Sequence, residues 1–152
     1  STPKYQAIEN SAMERVDLGE NGFIELIAGE YTGHIGPAKT FTPLNMMNTK
    51  LKAGGKAEFS FPAHFNTAAL VIEGSITVNG EEKVAADHFV LFKNEGETFS
   101  IEAQEDAVIL IISGEPINEP IYPHGPFVMN SREEIMQAFE DFNTGKFGFL
   151  ED

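Results

Sequence analysis

Four histidines are the residues of this chain best suited to bind a metal ion or to move a proton. His34, His64, His88 and His124 show neither the His-x-His nor the His-x-x-x-His spacing that places two imidazoles on one ion. Distant histidines can still converge in a fold, but surface or hydrogen-bonded loop histidines are the simpler interpretation. The chain has no cysteine, which excludes disulfides, thiolate catalysis and cysteine-ligated zinc.

Two polar residues, His64 and Glu97, flank predicted strands and are candidates for a polar pocket at the mouth of a β-barrel. The alternative is a barrel plugged by its own side chains, as small barrels usually are. Thirteen phenylalanines and no tryptophan favour that alternative. The phenylalanines near predicted strands are Phe59, Phe61, Phe65, Phe89, Phe92 and Phe99.

Adjacent acidic residues are the remaining candidates for acid–base chemistry, at Glu81-Glu82, Glu133-Glu134 and Glu140-Asp141. Neighbouring side chains on a strand point to opposite faces, and neighbours on a helix do not share one face closely. We therefore interpret these pairs as solvated surface. The sequence also lacks a Gly-x-Ser-x-Gly nucleophile elbow and a glycine-rich phosphate loop.

The elements that must position these residues are many short strands with no helices between them, which predicts an all-β sandwich or barrel. Asn79-Gly80 is the strongest short hairpin signal, Gly54-Gly55 is a predicted turn, and 29–43 is a predicted polar loop. The predicted strands are 23–28, 46–51, 57–61, 68–72, 75–78, 81–84, 89–92, 98–103 and 107–113.

One helix is predicted near the carboxyl end, over 132–143. Ser131 is a good N-cap, Glu134 three residues later completes a capping box, and Gly145 ends the helix. One side of this helix is an apolar stripe at positions i, i+4 and i+7, formed by Ile135, Phe139 and Phe142.

The run at 114–130, Gly-Glu-Pro-Ile-Asn-Glu-Pro-Ile-Tyr-Pro-His-Gly-Pro-Phe-Val-Met-Asn, resembles the C-terminal segment of pirins, which leads into such a helix. The stretch at 70–80, Leu-Val-Ile-Glu-Gly-Ser-Ile-Thr-Val-Asn-Gly, resembles the end of the first cupin motif. The resemblance covers essentially the whole chain, with 1–12 as a linker-like lead-in and 13–152 as a pirin C-terminal cupin domain. It implies a cupin-type jelly-roll β-sandwich or barrel with one C-terminal α-helix.

The resemblance also implies a cupin without a metal. Metal-binding cupins place a His-x-His pair and a Glu ahead of the Glu-Gly found here at positions 73 and 74, and another His in the second motif. At the positions aligned with the first-motif ligands this sequence has Phe61, Ala63 and Thr67, and Glu97 lies near the position of the second-motif His. Pirins are two cupins in tandem, and the iron of the family belongs to the N-terminal one. We therefore expect no cofactor in this chain.

The expected function is a structural or interaction role beside an iron-binding N-terminal cupin. For full-length pirins, the resemblance implies quercetin or flavonol dioxygenase activity, or a redox-linked partnership with regulatory proteins; no residue of this chain is assigned a catalytic role. One alternative is an independent ligand-binding or enzymatic cupin whose barrel pocket uses His64 and Glu97. A second alternative is a homodimerisation module.

Aromatic residues of the helix and tail are the candidates for a domain or dimer interface: Phe139, Phe142, Phe147 and Phe149. Exposed aromatic side chains near a chain end usually dock onto something. The expected occupants are the domain's own sheet, the N-terminal cupin, or a second copy of this chain.

The formal net charge of −14 argues against nucleic acid or an anionic membrane as a partner. No apolar run approaches the ~20 residues of a membrane span, and no signal-peptide pattern is present. With the lack of cysteine, this composition fits a cytoplasmic protein. The start at Ser1, without an initiator methionine, suggests a chain cut from a longer one.

Overall fold

The computed structural model describes residues 5–148, which are mostly strand, with one α-helix, α1 (Arg132–Asn143). The strands are β1 (Glu14–Asp17), β2 (Gly22–Ala28), β3 (Glu30–Tyr31), β4 (His34–Ile35), β5 (Leu44–Leu51), β6 (Lys56–Ser60), β7 (Asn66–Glu73), β8 (Ser75–Val78), β9 (Glu82–Ala85), β10 (His88–Leu91), β11 (Thr98–Ala103), β12 (Ala107–Gly114), β13 (Tyr122–His124) and β14 (Phe127–Met129). Among these described residues, no helix is long and apolar enough to cross a membrane.

The described residues form two compact units that divide between Pro116 and Ile117. The first unit contains a six-stranded sheet in the order β1-β2-β5-β12-β7-β10 and a four-stranded sheet in the order β6-β11-β8-β9. Successive strands from β5 to β8 alternate between the two sheets, and neighbouring strands in both sheets are antiparallel. This is the predicted jelly-roll sandwich.

The core of the first unit lies between the two sheets. Every second residue of β2 and of β12 is buried, which is the period of a strand with one face on the core. Both sheets contribute side chains with no solvent exposure; the six-stranded sheet contributes Ile24, Met47 and Ile109, and the four-stranded sheet contributes Phe59, Ile76 and Ile101.

The nine predicted strands are confirmed, each within two residues at either end. Asn79, Gly80 and Glu81 join β8 to β9, and the first two have φ angles of 51° and 72°. Tight hairpins need φ > 0 at such positions, because that twist matches the twist of the strands. Gly54, with φ of 77°, confirms the turn between β5 and β6.

Two predictions for the first unit were incomplete. The segment 29–43, predicted as a loop, contains the small hairpin of β3 and β4, whose two-residue strands are too short to show an alternating pattern. The edge strand β1 was missed because Val16 is its only apolar residue. Val16 nevertheless packs into the core with 7% exposure.

The second unit contains a hairpin of β13 and β14 followed by α1. The hairpin was not predicted, because prolines lie in and around these three-residue strands. The helix is confirmed at 132–143, with its capping box: the Glu134 N–H donates to the Ser131 hydroxyl at 3.2 Å, and the Ser131 N–H donates to the Glu134 carboxylate at 3.1 Å.

Candidate functional site

The end of the barrel that could hold a ligand is filled by an aromatic cluster that we call the phenyl plug: Phe59, Phe61, Phe92 and Phe99. Ring centroids lie 5.2 Å apart for Phe59 and Phe99, 6.2 Å for Phe61 and Phe99, and 4.1 Å for Phe92 and Phe99. Phe99 is therefore the ring that connects the other three. Such offset aromatic pairs add stabilisation beyond their buried area.

Strand register brings these rings together. Phe59 on β6 lies directly opposite Phe99 on β11, and both strands belong to the four-stranded sheet. Just outside the strands, the Phe61 N–H donates to the Glu97 carbonyl at 2.8 Å, and the Phe92 N–H donates to the Thr67 carbonyl at 3.0 Å. These two bonds fix where the outer rings of the plug enter the barrel.

Tyr31 extends the phenyl plug from the β3–β4 hairpin, with its ring centroid 5.7 Å from that of Phe59. Its hydroxyl donates to the Glu58 carbonyl at 3.0 Å. Burial, and secondarily the Glu58 carboxylate, raise the pKa of Tyr31 above its ordinary value, because both disfavour the phenolate. Sequence analysis missed this residue because it lies in a segment that was predicted as loop.

The buried polar side chains of the described residues are hydroxyls: Thr49, Thr67, Thr77 and Ser113. Thr67, at the position aligned with a metal-ligating Glu, pairs its hydroxyl with that of Ser113 at 2.7 Å. A neutral hydroxyl pair that satisfies itself has little tendency to bind a divalent cation, which prefers carboxylate or imidazole. Within residues 5–148, no group of three or more His, Cys, Asp or Glu side chains is placed to hold a metal ion.

A cleft of about 260 Å³ opens beside the plug, at the barrel mouth. Its polar lining includes Lys93, Glu95 and Glu97, and its apolar lining includes rings of the plug. Glu97 is therefore one of the residues that line this cleft. The exposed His64 is not among the lining residues; its ring packs edge-on against Phe65, with centroids 4.9 Å apart. The role predicted for this pair stays a prediction.

The other three histidines have separate local contacts. His34 Nδ1 lies 2.7 Å from a Glu14 carboxylate oxygen, and His88 Nδ1 lies 2.9 Å from the carbonyl oxygen of Ala86. His124 packs edge-on against Phe139 in the second unit, with centroids 5.5 Å apart. Each of these histidines lies on a short strand, β4, β10 or β13, and not in a loop as expected.

One phenylalanine considered for filling the barrel lies outside it. Phe89 on β10 is 60% exposed, whereas its neighbour Val90 packs against the core. Side chains alternate along a strand, so only one of these two positions can face inward. The sequence alone did not show which one does.

The predicted interface aromatics form a second cluster, in the second unit. Phe127 of β14 is the centre of this cluster, with ring centroids 5.1 Å from Phe139, 6.4 Å from Phe142 and 6.0 Å from Phe147. Phe142 and Phe147 are 61% and 59% exposed. Phe149 lies outside the described residues.

Comparison with known proteins identifies the family. The sequence model of the pirin C-terminal cupin domain matches residues 46–148, more than half of the chain. The chain belongs to the pirin family. Pirin-1 of Arabidopsis thaliana is 35% identical to it over 97% of this chain and 53% of that protein.

Two bacterial relatives are more similar. A Pseudomonas aeruginosa protein that carries the provisional name of a quercetin 2,3-dioxygenase is 40% identical, over 95% of this chain and 51% of its own length. The crystal structure of quercetin 2,3-dioxygenase from Acinetobacter baumannii superimposes with a TM-score of 0.91 at 43% identity, over 99% of this chain and 53% of that one. The chain thus spans about half the length of the curated relatives it matches.

Proposed function

We propose that this pirin C-terminal cupin is a metal-free domain with a structural and interaction role beside an iron-binding cupin. The observation that carries the proposal is the phenyl plug: Phe61 is buried at a position aligned with a metal-ligating His, and its neighbours are other phenyl rings. Phenyl rings supply no lone pair to a metal ion, and they fill the space that an open coordination position needs.

The companion partner in this proposal is an N-terminal cupin like the one that the family resemblance implies. Support comes from the relatives, in which about as much chain again lies outside the matched half. The exposed rings of Phe142 and Phe147 offer a contact surface for it. Dioxygenase activity on quercetin or another flavonol, or a regulatory partnership, then belongs to the two cupins together, in the cytoplasm.

The metal-free state is tested by metal analysis of protein purified without chelator and then exposed to ferrous iron before desalting. We expect much less than one metal ion per chain, because the described residues offer no ligand cluster. We also expect EDTA to leave the denaturant midpoint unchanged, since a metal bound only to the folded state would raise it. Near-stoichiometric iron, copper or manganese would contradict the proposal.

A second candidate function is small-ligand binding in the cleft beside the plug, favoured by the position of Glu97 among aromatic walls. Phenol is a suitable probe, followed by ¹H–¹⁵N NMR. A binding cleft would give saturable shifts at Thr98 and Phe99 that Glu97→Gln weakens and that the matched surface control Glu81→Gln leaves unchanged. The metal-free structural proposal instead expects small, non-saturating shifts.

A further inference from the structure

The sequence contains two Asn-Gly pairs, Asn21-Gly22 and Asn79-Gly80. In such a pair the asparagine side chain can cyclise on the backbone, because glycine has no side chain to hinder the approach of its own nitrogen. The glycine nitrogen attacks Cγ, a Cγ–N bond forms and the Cγ–Nδ2 bond breaks. The side-chain nitrogen leaves as ammonia with the proton that the glycine N–H gives up. Water then opens the succinimide at either carbonyl, which produces aspartate or isoaspartate.

The pair in the β8–β9 turn is open to this reaction. Asn79 and Gly80 are both exposed, and no atom lies within 4 Å of the position that a Cβ on Gly80 would take. In the part of the chain that the structure describes, neither the Gly80 N–H nor the Asn79 Nδ2 has a hydrogen-bond partner. The attacking nitrogen and the leaving nitrogen are therefore both free, and water reaches them.

The carbonyl of the Asn79 side chain is held by the neighbouring strand β11. The Asn79 N–H donates to the Ser100 carbonyl at 2.9 Å, and the Ser100 N–H donates to Asn79 Oδ1 at 3.0 Å. Oδ1 is the oxygen that becomes negatively charged when Cγ is attacked. A backbone donor on this oxygen stabilises the tetrahedral intermediate in the way that an oxyanion hole does.

The pair at the start of β2 has the same two residue types but different contacts. Gly22 is buried, and its N–H donates to the Gly19 carbonyl. The Asn21 Nδ2 donates to the Leu18 carbonyl at 3.2 Å, and the Asn21 Oδ1 accepts from the Lys56 N–H at 2.9 Å. A donor on Oδ1 is common to both pairs, but the bonds on the attacking and leaving nitrogens exist only here. Both bonds must break before cyclisation, which raises its barrier.

We propose that Asn79 is the site of spontaneous deamidation in this chain and that the fold protects Asn21. Asn79 also lines the cleft at the barrel mouth, together with Glu95 and Glu97. Deamidation therefore adds a negative charge to an acidic rim, and the isoaspartate product adds a methylene to the backbone of the β8–β9 turn. The charge of the cleft thus changes with the age of the protein. The proposal is independent of the metal-free role and of ligand binding, because the reaction needs only water.

Peptide mapping by mass spectrometry tests the proposal, on the folded chain incubated for days in mildly alkaline buffer and on a parallel sample unfolded in urea. In the folded chain, aspartate and isoaspartate should accumulate at least about tenfold faster at position 79 than at position 21, a difference of about 1.4 kcal/mol in barrier. In urea the two rates should approach each other, because only the sequence neighbours then differ. The isoaspartyl peptide is recognised as a second chromatographic peak with the mass of the aspartyl peptide.

Gly80→Ala should slow deamidation at Asn79 by at least about tenfold, because the added methyl group hinders the attacking nitrogen. The matched control is Gly54→Ala. Gly54 also lies in a turn with a positive φ, 77°, and has no atom within 4 Å of the position its Cβ would take, but it does not follow an asparagine. This control should leave the rate at Asn79 unchanged. Far-UV circular dichroism checks that both variants are folded.

Three outcomes would overturn the proposal. The first is a folded chain in which Asn21 reacts as fast as Asn79. The second is a chain in which Asn79 reacts only in urea, because the bond from the Ser100 N–H would then protect the side chain instead of activating it. The third is a Gly54→Ala variant that slows the reaction at Asn79 as much as Gly80→Ala does, because the effect would then come from backbone strain and not from the attacking nitrogen.

Discussion

Replacing Phe59 by alanine is expected to lower the free energy of unfolding by about 3–5 kcal/mol. Phe59 has no solvent exposure and lies within the phenyl plug, with rings of Tyr31, Phe61 and Phe99 around it. Its removal loses the transfer free energy of a phenyl ring and leaves a cavity whose rigid walls, held by both sheets, can close only in part.

Urea unfolding at equilibrium, followed by far-UV circular dichroism, measures the effect. Phe41→Ala is the matched control, because the Phe41 ring is 76% exposed and its loss should change stability by no more than about 0.5 kcal/mol. A Phe59→Ala variant as stable as this control would mean that the plug collapses into the space or does not contribute to the fold. Equal m-values in the two variants would show that only stability has changed.

The second large effect is expected for Gly74→Ala, which should lower the free energy of unfolding by about 3 kcal/mol. Gly74 has φ of +76°, in the left-handed region that costs a residue with a Cβ roughly 1–2 kcal/mol. A Cβ there would also lie 2.3 Å from the Asp106 carbonyl oxygen and 3.0 Å from the Ala107 Cα. Both are backbone atoms at the start of β12, so a shift of the strand adds about 1–3 kcal/mol.

Gly80 provides a matched control for the steric part of this prediction. Its φ of +72° is nearly the same, but no atom lies within 4 Å of the position its Cβ would take. Gly80→Ala should therefore lower the free energy of unfolding only by the strain of the left-handed backbone, roughly 1–2 kcal/mol. Equal denaturant midpoints for the Gly74 and Gly80 variants would contradict the close approach of Gly74 to β12.

The alternation of apolar residues predicted most of the first unit. Strands such as β2 and β12 are long enough to repeat the two-residue period several times. The Asn79-Gly80 pair predicts the hairpin turn, because both residues readily adopt the positive φ angles that it needs. The helix at 132–143 was predicted to the residue, because Ser131 and Glu134 form a local capping box. Short strands with a single apolar residue, such as β1, contain too little pattern to be predicted.

The sequence predicted which residue types occupy the candidate site, but it did not predict which side chains come into contact there. The absence of ligand-type residues at Phe61, Ala63 and Thr67 follows from the sequence and its family resemblance. The participation of Tyr31 in the plug does not, because its ring reaches Phe59 from a hairpin far away in the sequence. Likewise, nothing local distinguishes Glu97, which lines the cleft, from His64, which does not.

By itself, the sequence determined the family, the jelly-roll class, the capped helix and the replacement of metal-ligand residues by phenylalanine, alanine and threonine. These features depend on residue type and on local period, which are readable along the chain. Only the tertiary structure decided that Phe99 joins the plug while Phe89 faces outward, and that Leu70 lies between Leu110 and Phe89 on the outer face of the six-stranded sheet. The physical reason is that the pairing of strands distant in sequence sets which side chains share a face.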